Sequence, residues 1–453
     1  MIGSMRPEKT EKLTLWTLPE IELGCILDFL HWRDKISLQA ACPEMSRVLM
    51  TPLGWRTFKA GEISSVQSQR DEVACVQKYG HLFQHCTLWL GRPCRNTWEC
   101  TCVFDVNAGS MFPVLSALVD KCKVLKSLRL YHPSHVTPES NDTDVFKQYQ
   151  HAIEKLLLHA LHRTRFSLEL CGLQYSNDHI RPISLRFFDY YVSNPQVSQL
   201  VTVLDVSRSA DNRLHPPAPL NCLPAMTSLV TLKVPVHCVT MGILQSLVQN
   251  CLCDLYLLSD DSTVDLGYDE QQHLHWLTLL VPRGRKFHVH YIFKQRTLTP
   301  ADLVPNPYVR SVCIDSPCRL LTEDLLVAIA DRYGNSLQLL ALSHSAWKPD
   351  IMLLDLSNFA AKCPRLTHFV STLLHPTNML VSLVENAPRL KDVLVVGHGD
   401  EMAEFMHIVS QSLHHSWQPR PCPSMFHIDS WELSFLLDEY ILRYSIPVVM
   451  TRS

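Results

Sequence analysis

Glycine is scarce in this chain, 14 of 453 residues, against a usual share of roughly 7%. Nucleotide-binding folds cradle phosphates on glycine-rich loops, so that shortage argues against them, and neither GxGxxG nor a Walker A string occurs. The GxSxG elbow of serine hydrolases and the HExxH zinc motif are missing as well, so no catalytic residue is nominated. No apolar run approaches the roughly 18 residues that cross a bilayer. A basic excess is also lacking, since Lys and Arg number 41 against 44 Asp and Glu, a formal net charge of -3. Such a balance leaves no electrostatic footprint for nucleic acid.

Cysteine, in contrast, is plentiful, at 17. The number is odd, the residues are scattered, and the opening MIGSMRPEKTEK has no apolar core of a secretory signal. Reduced thiols in the cytoplasm or nucleus are the expectation. The clusters His81/His85/Cys86, Cys94/Cys100/Cys102, Cys251/Cys253 and His288/His290 lack paired CxxC or zinc-finger spacing, so no metal site is expected. Asp260, Asp261, Asp265 and Asp269 resemble a calcium loop only in charge, because Leu266 stands where the tight turn needs glycine. No cofactor is expected.

What is present is a recurring string, leucine-x-x-leucine-x-leucine. It reads at Leu125/Leu128/Leu130, Val201/Leu204/Val206, Leu229/Leu232/Val234, Leu252/Leu255/Leu257, Val309/Val312/Ile314, Leu337/Leu340/Leu342, Leu366/Phe369 and Leu390/Val393/Val395. Weaker copies stand at Leu168/Leu170 and Val289/Tyr291. Helical periodicity in MGILQSLVQNC, EDLLVAIADRYGNS and NMLVSLVENAPRL precedes three of these strings. The doublets Cys363-Pro364 and Ala387-Pro388 stop a helix and set up the next strand. Helix, turn and strand in sequence is the leucine-rich repeat signature, and a unit that cannot bury its own apolar side must stack on its neighbours. Segments 132–164, 207–224 and 258–286, rich in Pro, Asp, Ser and Asn, read as surface loops or insertions.

Residues 18–55 are different. Pro19 suits a helix start, and Glu20 and Glu22 favour its dipole. Leu23, Ile26, Leu27 and Leu30 line one face, while Leu18, Ile21 and Cys25 lie off it, so two apolar faces need two partners. Asp34 is the expected cap of a second helix carrying Ile36, and Pro43 opens a third with Met45, Val48 and Leu49. Trp55 closes the stretch. It resembles an F-box, carried by Leu18-Pro19, Ile26-Leu27, Leu30, Asp34 with Ile36, Ala41-Cys42, and Leu53 with Trp55. The chain departs from that pattern at Met45, where a Trp is usual, at Pro43-Glu44 for a basic pair, and at Gly54 between the late Leu and Trp. A narrower similarity, to one subgroup of F-box proteins, runs through Asp269–Trp276, Phe287–Tyr291, Asp302-Leu303, Arg310, Asp315, Arg332-Tyr333, Leu337, Trp417 and Ile428-Asp429.

The resemblance implies a Skp-type adaptor bound through Leu18, Pro19, Ile21, Ile26, Leu27, Leu30, Ile36, Cys42 and Trp55, a cullin scaffold beyond it, and a protein substrate on the repeats. The expected organisation is a tail (1–14), an F-box (15–58), an irregular repeat array (59–424) of α/β class with parallel strands on its concave face, and a capping tail (425–453). Side chains alternate along a strand, so the residue between the last two apolar positions should face outward. That reading nominates Arg129, Lys233, Tyr256, Ala341, Val370 and Leu394 for target binding. It also gives a polar first half and an apolar second half, the latter covered by a target or by the chain's own tail from Trp431 to Met450. The expected function is that of a non-catalytic receptor subunit in an SCF-type ubiquitin ligase, with neither nucleic acid nor membrane as partner. The rival is a scaffold whose F-box no longer supports ligase assembly.

Overall fold

A computed structural model of the chain describes residues 18–61, 66–90, 111–131, 143–161, 166–173, 190–206, 220–260, 274–294, 298–315, 321–343, 356–371, 377–395, 417–420 and 448–452. The chain forms two compact units, one of residues 1–171 with 182–187, the other of 172–181 with 188–453. The division falls inside the expected repeat array, and the helical stretch at its start belongs to the first unit.

The first unit opens with three helices, α1 (Glu20–Phe29), α2 (Trp32–Ala41) and α3 (Pro43–Leu49). Pro19 directly precedes α1 and makes no side-chain cap bond, and Pro43 occupies the first turn of α3, as its missing N–H allows. The expected cap at Asp34 is corrected. His31 caps α2, its Nδ1 accepting the Arg33 N–H at 3.3 Å, and Asp34 lies in the first turn, where its charge favours the helix dipole. Strands β1 (Thr57–Ala60), β2 (His85–Trp89), β3 (Ser127–Tyr131) and β4 (Ser167–Cys171) follow, each parallel to the next. Between them run α4 (Val66–Tyr79), α5 (Phe112–Lys121) and α6 (Thr143–Leu161). Helix α6 lies in a segment read as loop. The Pro, Ser and Asn cluster fills only the front of 132–164, and behind it Ala152, Ile153, Leu156 and Leu157 form a buried helical stripe.

The second unit continues with parallel strands β5 (Val201–Asp205), β6 (Thr231–Pro235), β7 (Asp254–Asp260), β8 (His288–Lys294), β9 (Val309–Asp315), β10 (Leu339–Ser343), β11 (His368–Ser371) and β12 (Asp392–Val395). The three helices read from sequence are Met241–Asn250, Glu323–Tyr333 and Thr377–Asn386, and a further one spans Leu356–Lys362. Cys363-Pro364 and Ala387-Pro388 directly follow the last two. Between β5 and β6, β7 and β8, and β8 and β9, the described residues include short 3-10 turns at Leu223–Ala225, Trp276–Thr278 and Pro300–Asp302. A hairpin of β13 (Trp417–Arg420) and β14 (Val448–Arg452) closes the sheet, β14 lying antiparallel to β12. The tail segment 431–447 lies outside the described residues.

Every described residue of the repeat signature is buried, none more than 4% exposed. The alternation that places it inward is that of a pleated strand, and stacking parallel strands about 4.8 Å apart makes one continuous apolar ladder in each unit. The expected α/β repeat fold with parallel strands therefore stands. Among the described residues no helix is long and apolar enough to cross a membrane.

Candidate interaction sites

The three-helix module closes a small core of its own. Leu23, Leu27, Met45 and Leu49 are buried together, with Leu30, Leu38, Cys42 and Val48 packed against them. Met45, the departure from the F-box pattern, is a core residue at 0% exposure, so its identity bears on packing rather than on docking. Gly54 has a packing reason too: a Cβ there would sit 2.6 Å from Leu49 Cα, so the chain passes α3 too closely for any side chain.

The expected adaptor set is divided by this core. Leu27 and Trp55 are fully buried, Leu18, Leu30 and Cys42 are half-buried, and Pro19 is exposed. The side chain of Ile21 is outside the description. Ile26 at 39%, Ile36 at 37% and Met50 at 50% are the exposed large apolar side chains among the described residues of the module, one from each helix or its end. Met50 was not anticipated, because a methionine after a helix carries no signal of exposure.

Trp55 anchors the module to the first repeats. Its ring stacks on Tyr79 with centroids 4.1 Å apart, and Phe83 lies 6.0 Å away. Asp28 of α1 pairs with Arg56 and accepts the Thr57 hydroxyl proton at 3.1 Å. Lys35 is buried beside them, 1% exposed, its Nζ 5.6 Å from the Trp55 ring centroid and 3.5 Å from the Thr57 carbonyl. Burial pushes its ammonium from 10.5 down to about 8, against the opposing pull of Asp28.

That shift has a sign. Below pH 8 Lys35 is charged in both folded and unfolded chains, and the folded state carries the whole desolvation cost. Between pH 8 and 10.5 the unfolded chain holds the proton that the folded one has lost, so stability rises with pH across that window. A shift of this size corresponds to about 3 kcal/mol as an upper bound. Lys35→Met should therefore raise stability at pH 7 by about 1–3 kcal/mol. Urea titrations at a series of pH values should show that the wild type gains on the variant from pH 8 to 10; parallel pH profiles would refute the assignment.

In the second unit, register sets out two rows on the outward side of the strands. Asp205, Lys233, Tyr256, His290, Ser311, Leu339, His368 and Asp392 are successive partners in one. Pro235, Leu258, Ile292, Cys313, Ala341, Val370 and Leu394 form the next. The expected change from a polar half to an apolar half is thereby corrected. Equivalent places in the leucine string fall on different rows because β9 pairs with β8 two residues out of step with the string, Ser311 beside His290 and Cys313 beside Ile292: Lys233 and Tyr256 belong to the first row, Ala341, Val370 and Leu394 to the second.

Neither row is an open face. Lys233 is 3% exposed, Tyr256 8%, Ala341 2%, Val370 5% and Leu394 0%. Each of these five nominated residues is therefore buried in the chain alone and does not stand on an open surface. Of the six nominated residues, Arg129 in the first unit is exposed, and it is ion-paired with Glu169 on the adjacent strand.

The first row is polar and internally bonded. Lys233 Nζ lies 4.8 Å from the Tyr256 ring centroid, and Tyr256 stacks on His290 at 4.2 Å. His290 Nδ1 is 2.6 Å from Ser311 Oγ, and its Nε2 is 3.4 Å from Asp254 Oδ1. Burial holds the His290 ring below its usual pKa, against the pull of Asp254. The neutral ring then donates from Nε2 to the carboxylate and accepts the serine hydroxyl at Nδ1. Farther along, His368 Nε2 lies 3.1 Å from Asp392. His290 is thus a satisfied strand residue, whereas His288 Nδ1 lies 3.9 Å from Asp254 and is buried without a hydrogen bond among the described residues; no group of three potential metal ligands occurs among the described residues. Burial likewise pushes the thiols of Cys75, Cys238 and Cys363 up to about 12, which makes them small inert core groups.

No family model matches the chain, and no curated protein matches it. Among solved structures, it is similar to the leucine-rich repeat-containing protein LegL7 from Legionella pneumophila. The TM-score is 0.38 and the identity 11%, over 78% of this chain and 98% of that one. The repeat class accordingly rests on this chain's own strand order and buried signature.

Proposed function

We propose that this protein is the target-recognition subunit of an SCF-type ubiquitin ligase. The helical module at 18–55 holds a Skp-type adaptor and through it a cullin, and the repeats hold a protein target. The finer resemblance is to F-box only protein thirty-three. The observation that carries the reading is the set Ile26, Ile36 and Met50, exposed on a module whose own core is already closed. Apolar groups so placed gain by desolvation against a partner. The protein contributes proximity rather than chemistry, holding a target lysine near a charged conjugating enzyme.

Co-purification from cells tests this. Ile26→Asp/Ile36→Asp should lose adaptor and cullin by about 100-fold or more, as a pair of central interface residues does, while the chain stays folded because the module's core of Leu23, Leu27, Met45 and Leu49 is untouched. Undiminished adaptor recovery with the double variant would sink the proposal. Recovery of adaptor without cullin would favour the rival scaffold reading.

A further inference from the structure

The second unit displays a pair of leucines that its fold leaves in water. Leu277 is 83% and Leu280 71% exposed, far beyond the other exposed large apolar residues, which reach 54%. The segment bearing them is pinned on its inner side. Leu274, Trp276 and Leu279 are buried at 1%, 1% and 3%. The Gln245 side chain grips Leu280 twice: its amide donates to the Leu280 carbonyl and its oxygen accepts the Leu280 N–H, each at 2.9 Å. Tyr308 donates its hydroxyl to the Leu279 carbonyl at 3.2 Å, and Thr278 donates its own to His275 at 2.7 Å. The leucines are therefore held out by a built support.

Cations stand beside them. The chain turns at Pro282–Arg285, closed by the Arg285 N–H on the Pro282 carbonyl at 3.1 Å, with Gly284 at φ 82 supplying the left-handed position. Arg283, Arg285 and Lys286 are exposed, and no carboxylate occurs from His273 to Phe287. Arg285 also donates to the Val248 and Asn250 carbonyls at the end of helix Met241–Asn250, which fixes the turn against the body. Arg283 and Lys286 remain as charges at its rim.

We infer that this protrusion is a peripheral docking site for an anionic phospholipid surface, with Leu277 and Leu280 entering the acyl boundary and Arg283 and Lys286 meeting lipid phosphates and carboxylates. Charge selects the occupant: Arg283 and Lys286 are exposed beside the two leucines, and the described residues of the segment bring no carboxylate, so the surface that receives them is anionic. Two exposed leucines with a cationic rim, and no carboxylate among the described residues 274–287, match the interfacial layer, where aliphatic insertion and electrostatic attraction add. Because the segment is already pinned, binding orders little. The contact is reversible, and it is independent of the ligase reading, since none of its residues lies in the helical module.

Flotation of the full-length protein with phosphatidylcholine vesicles, with and without phosphatidylserine, tests the inference. The wild type should float with the phosphatidylserine vesicles, more weakly with the neutral ones, and release as salt rises. Leu277→Ala/Leu280→Ala should lower partition at least about 30-fold, and Arg283→Glu/Lys286→Glu by about 30-fold or more, each with the wild-type melting midpoint. A wild type that stays in solution overturns the inference. So does a leucine variant that floats as well as the wild type, which would reduce the contact to charge adsorption.

Discussion

Trp55→Ala is expected to cost about 3–5 kcal/mol of stability, the range for removing a fully buried aromatic. Trp55 is 0% exposed, stacks on Tyr79 at 4.1 Å, and joins the helical module to the first strands. Removing the indole leaves a cavity between α2 and α4, with the Lys35 ammonium at its edge, so a buried charge loses its aromatic neighbour as well. Trp55→Phe is the informative companion. The indole N–H finds no acceptor among the described residues, so phenylalanine forfeits packing but no hydrogen bond. Urea unfolding should place the phenylalanine variant well above the alanine one. A loss under about 1 kcal/mol for Trp55→Ala would mean that the module is not anchored through this ring.

Val370→Asp is expected to cost more than about 3 kcal/mol, because a carboxylate would replace an apolar group with no cation in its row. Val370 is 5% exposed and lies between Ala341 and Leu394 in register. Val370→Thr, which adds one hydroxyl, should cost about 1–2 kcal/mol. Thermal unfolding checks both. An aspartate variant that melts with the wild type would restore the row as an open surface and return Val370 and Leu394 to the target-binding set.

The strands from β3 to β12 were legible because their signal is local. A leucine at each inward position of one strand can be read without knowing what lies beside it, and the described anchors from Leu125 to Val393 are all buried. Strands β1 and β2 carry no such string: TFKA and HCTLW alternate over too few residues to stand out. Register was not legible at all. The two-residue offset of the string between β8 and β9, which pairs Cys313 with Ile292 rather than with His290, arises only where one strand meets the next, and it puts the outward residue of the later repeats on a different row. The burial of the second row, and of the first from Asp205 to His290, is a further non-local fact, invisible to alternation, which separates two faces of a strand but does not say which of them meets water. In the helical module the apolar stripe was legible, yet its split into core (Leu23, Leu27) and exposed (Ile26) sides depended on where α2 and α3 pack. His288, His290 and Asp254 were separate letters until pairing of β7 with β8 set them side by side.

The central claim is that the module at 18–55 is an adaptor-docking surface, and titration calorimetry with purified Skp-type adaptor and the full-length chain tests it most directly. The account predicts one-to-one binding with a dissociation constant below about 1 µM, a negative heat-capacity change from burial of Ile26, Ile36 and Met50, and loss of the signal in Ile26→Asp/Ile36→Asp. A folded wild-type chain that gives no binding heat and elutes apart from the adaptor would contradict it.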